Sequence, residues 1–187
     1  MGPVGVHDDH DWLKDHIRDV PDFPQAGVVF KDLTPLLAHP QAFAAAVKAI
    51  AGPFEVAGIT KVVGIEARGF ILAAPVAITL GAGFVPVRKK GKLPWRTEVA
   101  FYDLEYGSDS LEIHDDAVTS GDRVLVVDDV IATGGTAEAT VELVRRLGGD
   151  VVGLGFLVEL AFLGGRARLT AHGVVDPAAV TALVTYG

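Results

Sequence analysis

The chain has 187 residues, 50% of them hydrophobic, a formal net charge of -8 and a pI near 5.1. That length and apolar share fit one folded domain with a full core and exclude a chain disordered throughout. The acidic balance argues against nucleic acid as a partner, and the absence of cysteine removes disulfides, thiolate zinc sites and thiol catalysis while fitting a reducing cytoplasm.

The opening MGPVGVHDDHDWLKD is acidic where a secretory signal would be basic and then apolar, so no signal is read there. His7, Asp8, Asp9 and His10 are residue types that bind metals, but a polar terminal tail is the plainer reading. Leu13, Ile17 and Val20 share one face of an expected short amphipathic helix over Asp11 to Val20. VPDFPQAGVVFKDLTPLL is broken by Pro21, Pro24, Gly27 and Pro35 and is expected to be irregular and partly buried. Pro40 to Phe54 has helical apolar spacing at Phe43, Val47 and Ile50.

KVVGIEARG reads as a buried strand running into a loop. The uncharged run from Gly69 to Val87 is long enough to suggest a membrane span, but Pro75, Gly81, Gly83 and Pro86 interrupt it. It is read as a buried helix from Phe70 to Leu80, a Gly-Ala-Gly turn and a short strand. RKKGKLPWRTEVAFYDLEYG, Arg88 to Gly107, carries basic clusters and aromatics; half of it suits a hairpin and the rest an exposed loop. SLEIHDDAV and DRVLVVDD are strand candidates. GTAEATVELVRRLGG is a helix with Val141, Val144 and Leu147 on one face and Gly148 placed to stop it. DVVGLGFLVEL is another strand, and HGVVDPAAVTALVTYG gives a weak strand and a short helix. Helices alternate with strands that are continuous apolar runs. The expected class is therefore α/β, one domain over residues 1–187, with a mainly parallel sheet flanked by helices.

VLVVDDVIATGGT, Val124 to Thr136, carries the chemistry. In an open parallel sheet, ligands bind beyond the carboxyl ends of the strands. Asp128 and Asp129 stand at such an end. Ala132, Thr133, Gly134, Gly135 and Thr136 turn into the next helix, where free backbone N–H groups attract an anion and glycines permit its close approach. Carboxylates accept hydrogen bonds and so select hydroxyls. A sugar phosphate such as ribose 5-phosphate satisfies both halves; a plain loop whose aspartates cap the helix is the structural alternative. Neither GxxxxGK[ST] nor a GxGxxG after the first strand is present.

This motif resembles the phosphoribosyl-pyrophosphate motif of type I phosphoribosyltransferases. DFPQAGVVFKDLTPLL, GIEARGF, VRKKGKLP and LEYG, in this order and spacing, resemble the adenine phosphoribosyltransferases within that family, from about Asp11 to the C-terminus. The resemblance implies the type I phosphoribosyltransferase fold, with a small N-terminal hood (residues 11–40) and a mobile lid loop (residues 88–107). It implies the reaction of adenine with 5-phosphoribosyl 1-pyrophosphate to AMP and pyrophosphate, with Mg2+ carried on the sugar pyrophosphate, water-bridged to Asp128 or Asp129.

On the same footing, Arg68, Lys89 and Lys92 contact pyrophosphate, and Glu105, beside Tyr106 in the lid, moves the proton at adenine N7. Phe30 stacks on the purine or belongs to the core, while backbone groups of Val29 and Lys31 read the base edge and Val130 faces it from the other side. Arg68 and the basic cluster have ordinary surface-charge readings beside these. A homodimer in the cytoplasm is expected, with no nucleic acid or membrane partner. Two rivals stay open: an enzyme for another base, such as hypoxanthine, xanthine or orotate, and a non-catalytic sensor of phosphoribosyl pyrophosphate. The absence of lysine from Val151 to Leu160 favours adenine over oxo-purines.

Overall fold

A computed structural model describes residues 10–104, 107–171 and 173–187. A 3-10 turn at Asp11–His16 leads into β1 (Arg18–Pro21), which pairs antiparallel with β2 (Val29–Asp32), Val20 opposite Phe30. The expected helix over Asp11 to Val20 therefore stops at His16. Leu13 and Ile17 do anchor the segment in the core, but cross-strand pairing claims the residues after them. The stretch expected to be irregular is partly regular for the same reason. β2 runs into α1 (Thr34–Ala38), whose first turn is held by Asp32 accepting from the Thr34 N–H at 2.9 Å. That bond and the Thr34 hydroxyl hold the Asp32 carboxyl below its usual pKa.

The chain continues through α2 (Pro40–Ala51), β3 (Lys61–Ile65), α3 (Gly69–Leu80), β4 (Gly83–Lys89), β5 (Thr97–Leu104), β6 (Gly107–His114), β7 (Arg123–Ile131), α4 (Gly135–Arg146), β8 (Asp150–Leu160), α5 (Gly165–Ala171) and β9 (Val180–Tyr186). The main sheet has seven strands in the order β5-β6-β4-β3-β7-β8-β9. β4, β3, β7, β8 and β9 are parallel; β6 pairs antiparallel with β4 and with β5. None of the described helices is long and apolar enough to cross a membrane.

Each face of the sheet has its own core. Leu125 and Val127 point into one cluster with Leu36, Ile50 and Leu72, and Val124 and Val126 point into the other with Leu143 and Leu154. Side chains alternate along a strand, so a strand covered on both faces must be apolar at every position. That is why VLVV is unbroken.

The segment expected to be half loop is mostly strand. β5 pairs with β6 from Thr97↔His114 to Leu104↔Gly107, and Ala100 is buried while Phe101 beside it is exposed. Glu112 secures the turn before it, accepting from the Lys92 N–H at 2.9 Å and the Leu93 N–H at 2.8 Å. Burial works to raise the Glu112 pKa, but these bonds outweigh it and hold it below the ordinary value. α5, which the sequence did not announce, connects β8 to β9.

Candidate active site

β3 ends at Ile65, and the loop Glu66-Ala67-Arg68 crosses to the start of α3. Glu66 accepts from Arg88 Nε and from the Lys89 N–H, each at 3.1 Å, tying this loop to the end of β4. Burial acts to raise the Glu66 pKa; the Lys89 and Arg88 bonds overcome it and lower it. α3 begins at Gly69, where a Cβ would lie 2.6 Å from Asp128 Oδ1 and 3.2 Å from Val127 O. Only glycine permits that helix end to sit against the acid pair.

Asp128 and Asp129 lie near the end of β7. Asp128 Oδ1 accepts from the Asp129 N–H at 2.9 Å. Burial, and then the neighbouring Asp129 charge, push the Asp128 carboxyl well above its usual pKa. Arg68 Nε lies 2.7 Å from Asp129 Oδ2, an ion-pair contact turned off the hydrogen-bond line, so this buried oxygen has no aligned donor. The same guanidinium stands 5.2 Å from the Phe30 ring centre, and Phe23 meets that ring edge-on. Phe30 belongs to neither core cluster, which decides against its reading as core.

These groups border one cleft of ≈ 400 Å³, a size usual for small-molecule sites. It brings together Val29, Phe30, Lys31, Arg68, Lys89, Asp128, Asp129, Val130, Ala132 and Thr136. A recess of ≈ 60 Å³ adjoins it, lined by Ala132, Thr133, Gly134 and Thr136, with Gly134 at φ 81 shaping the entry to α4.

Two expected residues lie elsewhere. Lys92 does not itself line the cleft: its backbone is held by Glu112 and its ammonium lies 3.8 Å from Glu66, which does. Gly135 lines a different hollow, which shares Tyr102 with the cleft. The Lys31 ammonium is bound to Asp19 at 2.6 Å and lies over the Tyr186 ring, which leaves its backbone as the part suited to a base. Glu105 and Tyr106, and His7 to Asp9, lie outside the described residues.

Tyr102, Glu66 and Leu160 also line the cleft, and the sequence did not single them out. Tyr102 donates to Asp109 Oδ2 at 3.1 Å, and Lys89 Nζ lies 3.0 Å from the same oxygen. Burial, then Asp109, raise the Tyr102 hydroxyl to about 12. Alternation along β5, with Ala100 and Tyr102 on one side, was the signal available for it.

The hollow between β5 and α4 is larger, ≈ 530 Å³, and contains Arg145, Arg146 and Arg168. Its two carboxylates, Glu138 and Glu142, are paired with Arg168 and Arg146. Chemistry, not size, makes the smaller cleft the candidate.

The phosphoribosyl transferase domain family matches residues 32–168. An adenine phosphoribosyltransferase of Streptomyces coelicolor is 64% identical over 167 residues, covering 89% of this chain and 90% of its own. Among solved structures, adenine phosphoribosyltransferase from Rhodothermus marinus superposes with a TM-score of 0.86 at 56% identity, over 94% of this chain and 97% of that one. The Saccharomyces cerevisiae adenine phosphoribosyltransferase, complexed with D-2,5-dideoxy-2,5-imino-altritol 1,6-bisphosphate and adenine, gives 0.84 at 41% identity, over 92% of this chain and 96% of that one.

Proposed function

The chain belongs to the phosphoribosyltransferase family, and we infer that it transfers the phosphoribosyl group of 5-phosphoribosyl 1-pyrophosphate to adenine, giving AMP and pyrophosphate. One observation carries this reading: a cleft that holds a carboxylate pair, an arginine and an aromatic ring adjoins a recess lined by Thr133, Gly134 and Thr136.

The turn Thr133 to Thr136 takes the 5-phosphate, and Asp128 and Asp129 accept from the ribose hydroxyls. The Asp129 oxygen without an aligned donor supports that role. Arg68 and Lys89 hold the pyrophosphate, the arginine as a fork and the lysine as a point charge. Adenine enters between Phe30 and Val130, its edge read by backbone groups of Val29 and Lys31. Glu105 shares the N7 proton while N9 attacks the sugar C1 and pyrophosphate leaves, and Tyr106 belongs to the same substrate-binding set.

Magnesium suits this site as an ion carried in on the pyrophosphate. Asp128 or Asp129 would meet it through a bridging water rather than as a direct ligand. When bound it supplies charge neutralisation as the bond to pyrophosphate weakens. A homodimer is supported by the exposed apolar residues Ile71 and Ile78 on α3 and Phe84 on β4; the cytoplasm is the compartment proposed for it. AMP formation from adenine, phosphoribosyl pyrophosphate and magnesium, run beside a panel of other bases, tests the reading. Silence with adenine and turnover of hypoxanthine or xanthine would overturn the base assignment.

A further inference from the structure

The turn that shapes the small recess rests on a second backbone. Gly165, the first residue of α5, lies flat against it: a Cβ there would sit 2.3 Å from Ala132 O, 2.9 Å from Ile131 Cγ1 and 3.0 Å from Gly134 N. The packing is reciprocal, since a Cβ on Gly134 would sit 2.8 Å from Gly165 O. Three of these four contacts are with backbone atoms, which cannot swing aside as the end of a side chain can. Gly165 has no left-handed φ, so close approach alone requires glycine there.

The next residue locks this contact in place. Arg166 Nε donates to both Glu159 oxygens at 3.0 Å, Nη2 to Oε2 at 2.6 Å, and Nη1 to Val180 O at 2.6 Å. Glu159 is buried near the end of β8, beside Leu160, which lines the cleft. One guanidinium thus joins β8, α5 and β9. A buried ion pair is a poor way to gain stability, because desolvation offsets most of the attraction. A planar fork does fix direction, which an apolar contact does not. Neither Glu159, Gly165 nor Arg166 lines the cleft or the recess.

Resting on the phosphoribosyl-transfer reading, we propose that Glu159, Arg166 and Gly165 form a buttress that sets the width of the phosphate recess. They are positioning residues: they act through the Ala132–Gly134 backbone, whose N–H groups must stay aimed at the 5-phosphate. Pushing Gly165 away from the turn moves those groups while leaving the adenine end untouched. The effect should therefore fall on one substrate alone.

The test is calorimetric titration of ribose 5-phosphate into the full chain, together with KM for each substrate, in wild type, Gly165→Ala and Glu159→Gln. Gly165→Ala is expected to weaken ribose 5-phosphate ten- to roughly a hundredfold and raise KM for phosphoribosyl pyrophosphate in step, with KM for adenine within about twofold. Glu159→Gln shifts the same quantities in the same direction by a smaller factor. A merely structural role would lower the melting temperature and the active fraction and leave both affinities unchanged. Wild-type sugar-phosphate affinity in both variants, or equal loss for both substrates, overturns the buttress. Should Gly165→Ala not fold, Glu159→Gln decides by the same criterion. A wild type that neither binds ribose 5-phosphate nor makes AMP would instead sink the functional reading beneath it.

Discussion

Arg68 Nε and Asp129 Oδ2 face each other at 2.7 Å, close enough for full charge attraction yet out of line for a hydrogen bond. Such a pair is easily exchanged for a better-aligned one. A pyrophosphate oxygen offers Arg68 an in-line partner, and a ribose hydroxyl offers Asp129 a donor. Arg68→Ala is expected to lower kcat/KM by about a hundredfold, the scale of one or two charge-assisted hydrogen bonds. Arg68→Lys should rescue little of it, because an ammonium cannot reproduce the fork. Steady-state kinetics check both; full rescue by lysine would leave only a point-charge role.

Asp128 is expected to trade stability for function. Its folded pKa lies above the unfolded one, from burial first and Asp129 second. A raised carboxyl favours folding below its unfolded pKa, and that contribution is lost as pH rises through the folded pKa. At neutral pH Asp128→Asn should therefore raise the melting temperature, by roughly 2–4 °C if about 1 kcal/mol is recovered. The gain should shrink as pH falls toward the ordinary carboxylate range. Activity should move the opposite way, and replacing Asp129 as well should weaken sugar binding and kcat/KM further. Thermal melts across pH and kinetics on the same samples measure the two sides.

Glu105→Gln or Glu105→Ala should cut turnover by about a hundredfold or more, the usual share of a positioned proton-transfer group, with modest change in KM. Normal turnover in both would end that proposal.

Phe30→Ala should raise KM for adenine by about five- to tenfold and leave KM for phosphoribosyl pyrophosphate near wild type, as expected for loss of one aromatic contact. Phe30 lies outside both core clusters, so the melting temperature should change little.

How much of this was legible in the sequence followed the range of the forces involved. The unbroken VLVV run announced a doubly covered strand, because that pattern is local. Arg18 to Val20 was misread as the end of a helix because β1 is fixed by its pairing with β2 (Arg18↔Asp32 to Pro21↔Val29), which no local period reveals. Lys92 belongs to a basic cluster, but Glu112 across the hairpin holds its backbone and its ammonium meets Glu66, so it reaches the cleft only through that carboxylate. Tyr102 was hidden in a stretch that looked like loop. α5 was missed because Gly164 and Gly165 read as a break, although Gly165 is where the helix and the turn touch.

The most direct measurement is a crystal structure of the protein with AMP bound. The account predicts the phosphate on the Thr133 to Thr136 N–H groups, the ribose hydroxyls on Asp128 and Asp129, and the purine against Phe30. A nucleotide lying instead among Arg145, Arg146 and Arg168 between β5 and α4, with the turn empty, would contradict it.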